Sequence, residues 1–73
     1  MLKGEFVVVT MNAREWNGKT YYNLKLKIGN FVYDANTNAD TYLKLQEFQR
    51  FTGTFSLFGR RSGGLDLRLD GVD

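Results

Sequence analysis

The chain has 73 residues with 10 basic and 8 acidic side chains, a net charge of +2, and neither cysteine nor histidine. That length allows one small domain, residues 1–73. The missing residue types exclude disulfides, thiolate zinc sites and catalysis by a cysteine or histidine side chain. No segment approaches the ~20 apolar residues that span a bilayer, and the N-terminus does not resemble a signal peptide. We therefore expect a soluble, cytoplasmic protein without a cofactor.

The first predicted element is a strand over residues 2–11. It contains the run Phe-Val-Val-Val at residues 6–9. Because this run is apolar on both faces of a strand, we expect a central or curled strand with neighbours on both sides. Residues 12–20 break the pattern with polar side chains and include Asn17-Gly18, a dipeptide typical of turns. They predict a loop, and this loop carries the only tryptophan.

Strong alternation of apolar and polar residues predicts the second strand, which ends at Ile28. From Tyr22 onwards every second residue is apolar, which is typical of a strand buried on one face. Gly29-Asn30 predicts a tight turn, and residues 31–35 predict a short third strand. The outward positions of the second strand are Tyr21, Asn23, Lys25 and Lys27.

A single helix is predicted after the third strand. Residues 36–41 are rich in helix-capping side chains, and either Asn38 or Asp40 is expected to be the N-cap. Residues 42–51 carry an apolar residue at every third position and contain no glycine or proline, as expected for a helix with one apolar stripe. Gly53 is expected to cap its C-terminus.

Two further strands are predicted over residues 53–58 and 65–72. They are joined by a basic, glycine-rich loop over residues 59–64. The complete order is strand, strand, strand, helix, strand, strand, which is that of the OB-fold, a five-stranded Greek-key barrel. The predicted fold class is therefore all-β with one short helix.

OB-folds bind ligands on the outer face of strands two and three, between the loops that join strands one and two and strands four and five. Both basic segments of this chain fall on that surface. Phosphates need cations along a groove, and unpaired bases need flat rings on which to stack. We predict a nucleic-acid-binding site composed of Arg14, Trp16, Lys19, Tyr21, Lys25, Lys27, Phe31, Tyr33, Phe58, Arg60 and Arg61.

The aromatic side chains of this site leave alternatives open. Trp16 either is exposed for stacking or anchors the loop against the core. Phe31 and Tyr33 share one face of the third strand; they extend the binding platform if they point outwards and belong to the core if they point inwards. Phe58 either forms the rim of the groove or packs inside the barrel. The remaining cations are assigned to solvated surface, namely Lys3, Lys44, Arg50 and Arg68.

Two short motifs resemble known proteins. Residues 17–26, Asn-Gly-Lys-Thr-Tyr-Tyr-Asn-Leu-Lys-Leu, are similar to the Gly-Lys-x-Tyr-x-Leu region of OB-fold single-stranded-DNA-binding proteins of phages and plasmids. Residues 53–69 resemble the C-terminal hairpin of helix-destabilising proteins of the filamentous-phage type. The resemblance implies cooperative, sequence-tolerant binding of single strands, often by a homodimer. Such binders serve DNA replication, and recombination and conjugation are left open as alternatives. By position it implies phosphate or stacking roles for Lys19, Lys25, Arg60, Tyr21 and Phe58.

These features predict a non-catalytic protein that binds single-stranded DNA largely without sequence preference. The acidic residues are scattered singly, so catalysis by paired carboxylates is not expected. RNA is left open as a ligand and a second copy of the chain as a partner, whereas a membrane and a small-molecule substrate are not expected. The alternative function is a protein-binding barrel, such as a phage accessory or inhibitor, in which Trp16, Tyr21 and Phe31 form a hot spot.

Overall fold

The computed structural model describes residues 2–73. Its elements are β1 Leu2–Trp16, β2 Lys19–Ile28, β3 Phe31–Thr37, α1 Ala39–Lys44, β4 Arg50–Gly59 and β5 Leu65–Val72. The strands close into a barrel in the order β1-β2-β3-β5-β4, and β4 pairs back onto β1. β3 and β5 run parallel, and the other pairs are antiparallel. The predicted fold class, a five-stranded OB-fold barrel with one short helix, is confirmed.

The core of the barrel is built around the ring of Phe6. This ring meets Phe55 edge-on with 5.4 Å between centroids, and it lies 6.1 Å from the ring of Phe51. Such aromatic pairs contribute about 0.5–1.5 kcal/mol beyond the burial of their area. Residues from all five strands and from the segment after the helix complete the buried core, which consists of Phe6, Val8, Leu24, Leu26, Ala35, Leu45, Phe55 and Leu69.

A β-bulge in β1 explains the apolar run at residues 6–9. Val8 and Thr10 occupy successive positions of the ladder with β2, so Val9 between them is an extra residue. The alternation of faces therefore shifts by one: Phe6 and Val8 face the core before the bulge, and Met11 faces it afterwards. A bulge also bends and twists its strand. The prediction that this strand has neighbours on both sides is confirmed, because β1 pairs with β2 and with β4.

The first two strands form a longer hairpin than the sequence predicts, and the loop expected over residues 12–20 is wrong. β1 continues to Trp16 and β2 begins at Lys19, so only Asn17 and Gly18 remain as the turn. Their φ angles of 52° and 74° are both positive, as a two-residue hairpin turn requires. Polar residues form strands here because this part of the hairpin projects beyond the core, where neither face has to be apolar.

The helix is shorter and earlier than the predicted residues 42–51. α1 ends at Lys44, and Asn38, one of the two expected N-caps, accepts a hydrogen bond from the Thr41 N–H at 2.8 Å. Within residues 2–73, no helix has the length and apolarity needed to cross a membrane. The predicted apolar stripe is also split, because Leu45 is buried whereas Phe48 is 78% exposed.

Backbone pairing with β1 explains why the helix stops. The Phe48 N–H donates to the Val8 carbonyl at 2.6 Å, and the Val8 N–H donates to the Gln49 carbonyl at 3.1 Å. These bonds lead the chain directly into β4, so Phe48 and Gln49 bond to the backbone of β1 instead of extending the helix. Gly53 lies inside β4 and does not cap the helix, which corrects the sequence prediction.

Candidate nucleic-acid interface

The projecting end of the β1–β2 hairpin carries four of the predicted site residues on one face. In the antiparallel ladder Arg14 lies opposite Tyr21, and Trp16 lies opposite Lys19. Residues two apart on a strand share a face, so all four side chains project from the same side. We call Arg14, Trp16, Lys19 and Tyr21 the hairpin cluster. Trp16 is 64% exposed, and the Lys19 Nζ lies 5.5 Å from the centroid of the Tyr21 ring, within cation–π range.

The bulge at Val9 determines which face the hairpin cluster occupies. Without the extra residue, strict alternation from Phe6 and Val8 would place Arg14 and Trp16 on the core side of β1. With it, both residues lie on the outer side of the sheet together with the outward residues of β2. The bulge therefore places the candidate site residues of β1 and β2 on one surface.

The two lysines of β2 continue this surface along the strand. Lys25 and Lys27 are both exposed, as the alternation predicts. Their neighbours differ: Lys25 lies between Thr10 of β1 and Asp34 of β3, whereas Lys27 lies between two valines. Directly opposed side chains interact across a sheet, so Asp34 partly offsets the charge of Lys25. Lys27 has no such acidic neighbour across the sheet.

A row of amide side chains crosses the sheet between Tyr21 and Lys25. Asn12, Asn23 and Asn36 lie directly opposite one another on β1, β2 and β3. We call these three residues the asparagine row. Arg68 of β5 lies beside Asn36 and extends the row by one strand. The sequence prediction did not include these residues in the site, because the register that aligns them depends on pairing between strands.

Together, the hairpin cluster, the asparagine row and the two β2 lysines form what we call the outer face.

The cations of the outer face take part in no ion pair within residues 2–73. Within residues 2–73, the cations that have a carboxylate within 4.0 Å are Lys3, Arg50, Arg60 and Arg68. The partner of Arg68 is Asp70. Over the same range, no ion pair includes Arg14, Lys19, Lys25 or Lys27.

The second basic loop, residues 60–64, lies at the opposite end of β2 and β3 from the hairpin cluster. Ala35 is beside Leu67 in the parallel β3–β5 pair, so the loop that precedes β5 lies at the level where β3 begins. The Arg60 Nε is 3.3 Å from the Asp66 Oδ1. Phe58 lies opposite Asp66 on the outer side of β4 and is exposed. Arg60, Arg61 and Phe58 therefore border the far end of the outer face.

Phe31 and Tyr33 do not extend the outer face. Tyr33 lies opposite the buried Leu26, so both aromatic residues belong to the core side of β3. They are nevertheless 68% and 44% exposed, because β3 pairs with β5 only from Ala35 onwards and the barrel is open before that point. A groove occupies this opening. Apolar side chains line most of it, including Ile28, Tyr33, Leu57, Leu65 and Leu67, and the charged residues Asp34, Arg60 and Asp66 line the rest.

Comparison with known proteins identifies no relative. No protein-family model, no curated protein and no solved structure matches the chain. Within residues 2–73, no group of three or more acidic side chains is placed to hold a metal ion. Any functional interpretation therefore depends on the chain's own side chains and their arrangement.

Proposed function

We propose that the chain binds single-stranded DNA, without catalysing a reaction, across the outer face. One observation carries this proposal: four cations that have no ion-pair partner within residues 2–73 share a face with the exposed rings of Trp16 and Tyr21. Cations attract phosphates, and each base that stacks on an aromatic ring adds roughly 1–3 kcal/mol. Both groups are needed for single strands, because only unpaired bases expose their ring faces.

The distribution of charge suggests which part of the outer face the phosphates would follow. The β1–β2 side holds Arg14, Lys19 and Lys27 without acidic cross-strand partners. The β3–β5 side carries Asp34 and Asp66, which add negative charge there, offset in part by Lys25 and Arg60. A bound strand would therefore place its backbone along the β1–β2 hairpin, with its bases directed over Tyr21 and the asparagine row.

A titration with oligo-dT tests this proposal, with Trp16 as the reporter. Trp16 is the only tryptophan and is exposed, so a stacking base should quench its fluorescence. Contact with all four cations predicts a slope of about −3 when log K is plotted against log salt concentration, because single strands give about −0.7 per phosphate contact. A duplex of equal length should bind more weakly, and oligo-U measured in parallel would show whether RNA also binds. Absence of both quenching and anisotropy change at low salt would refute the proposal.

A second feature favours pairing between two copies of this chain. β3 bonds to β5 only over residues 35–37, so no strand in the described part of the chain, residues 2–73, pairs with the backbone of residues 31–34 on that side. Phe31, Val32 and Tyr33 on this edge are all exposed, and exposed apolar edges promote strand pairing. We infer that two copies join these edges antiparallel.

Light scattering tests this second inference. The wild-type chain is expected to have the mass of a dimer, and Tyr33→Lys should make it monomeric, because a charge at the edge opposes pairing. Leu43→Lys is the matched control, since Leu43 is 81% exposed on the helix, away from the edge. A wild-type chain that is monomeric at its highest soluble concentration, or a dimer that survives Tyr33→Lys, would contradict it.

A further inference from the structure

The asparagine row is the least expected feature of the outer face. Asparagine is depleted in strands, because its short amide competes with the backbone for hydrogen bonds. Here three asparagines occupy directly opposed positions on three neighbouring strands. Threonine, valine or tyrosine would suit these positions better as strand residues. Departures from local preference are expected where a function requires them.

The amides of the row have no protein partner within residues 2–73. None of the side-chain hydrogen bonds over that range includes Asn12, Asn23 or Asn36. By contrast, the amide of Asn38 accepts from the Thr41 N–H and donates to the Asp70 carbonyl. Each amide of the row therefore keeps two N–H donors and a carbonyl acceptor free for a ligand.

The position of the row defines the part of a DNA strand that it can reach. On β2, Asn23 lies between Tyr21 and Lys25 on the same face, which places an amide between a stacking ring and a cation. Strand spacing in a sheet is about 4.8 Å, so the three amides span about 10 Å across the face. Arg68, which pairs with Asp70, lies one strand further on and marks the β5 end of the row.

We propose that the asparagine row hydrogen-bonds to the base edges of the bound strand, an inference that rests on the proposed function. The Watson–Crick edge of every base presents adjacent donor and acceptor groups. An amide presents the same pair, and rotation of its terminal group exchanges the two. The row can therefore pair with any unpaired base. In a duplex these edges are occupied by the partner base, so the row discriminates single strands from duplexes and does not discriminate among bases.

An abasic oligonucleotide separates base contacts from backbone contacts. We would titrate the wild-type chain, Asn23→Ala and Asn36→Ala with oligo-dT and with an abasic oligomer of equal length at low salt. Each alanine should weaken dT binding about 3- to 10-fold, the range for loss of one or two hydrogen bonds, and should leave abasic binding unchanged. Lys27→Ala is the matched control and should weaken both ligands equally, since it removes a phosphate contact. Thermal unfolding of each variant checks that the fold is retained.

The outcomes distinguish this inference from the proposed function. If the wild-type chain binds neither oligomer, both are overturned. If the asparagine variants weaken dT and abasic binding equally, or weaken neither, the asparagine row does not contact the bases. In that case the proposal of single-strand binding still stands.

Discussion

Replacing Lys19 with glutamate is expected to weaken binding of single-stranded DNA about tenfold at low salt. Lys19 belongs to the hairpin cluster and has no ion-pair partner in the described residues, so reversal of its charge removes a phosphate contact and adds a repulsion. The double variant Arg14→Glu/Lys19→Glu should lose about a hundredfold, because it reverses two cations of one surface. Fluorescence anisotropy with labelled oligo-dT measures both.

Lys44→Glu is the matched control for Lys19→Glu. It changes the net charge by the same amount, but Lys44 lies in the last turn of α1 and not on the strands that form the outer face. We expect little change in affinity and a small loss of stability, because a cation there favours the helix dipole. The salt slope should fall by about 0.7 in magnitude for Lys19→Glu alone. Equal losses from the two variants would show that net charge, rather than the hairpin cluster, governs binding.

The fold could be predicted because most elements carry their own local signal. The alternation in β2 and β5 is visible within each strand, and the helix-capping residues before α1 mark its start. The order of elements then indicates a closed barrel. The helix C-terminus could not be predicted in this way, because it is set by hydrogen bonds between Val8 and residues 48–49, which are distant in sequence.

The composition of the candidate site was visible in the sequence, but its arrangement depends on pairing between strands. Arg14 and Trp16 share a face with Tyr21 only because Val9 is an extra residue in the β1–β2 ladder. The apolar run at residues 6–9 indicates a curled strand without indicating where the alternation shifts. The asparagine row likewise appears only when three strands are set in register, since each asparagine alone is an ordinary polar residue of an outward face.

Exposure at the start of β3 has a similar origin. The alternation of faces along a strand shows which residues point inwards. It does not show whether such a residue lies in the closed core or beside an opening of the barrel. Phe31 and Tyr33 point to the core side of the barrel, yet both are exposed because β5 joins β3 only from Ala35 onwards. The number of residues over which two strands pair depends on both strands, as their register does. The sequence of one strand alone therefore does not predict it.

Gly53→Ala is expected to cause the largest loss of stability. Gly53 is buried in β4, and a Cβ added there would lie 2.7 Å from the Leu69 Cδ1, 2.8 Å from the Gly71 carbonyl oxygen and 2.9 Å from the Phe6 Cε1. Leu69 and Phe6 are core side chains and cannot move without disturbing their neighbours. Overpacking of this kind costs about 1–3 kcal/mol or more, a large fraction of the roughly 5 kcal/mol expected for a small domain. Urea unfolding followed by circular dichroism measures the loss.

Gly4→Ala provides the control, because Gly4 lies directly opposite Gly53 in the β1–β4 ladder. A Cβ at Gly4 would meet no atom within 4 Å, so alanine fits without strain. Restricting the unfolded chain there should stabilise the protein by about 0.4–1 kcal/mol. The two substitutions differ only in what the added methyl group contacts. Equal losses of stability would mean that the β1–β4 pairing itself requires glycine, whereas opposite effects would assign the requirement to the packing of Gly53 against Phe6 and Leu69.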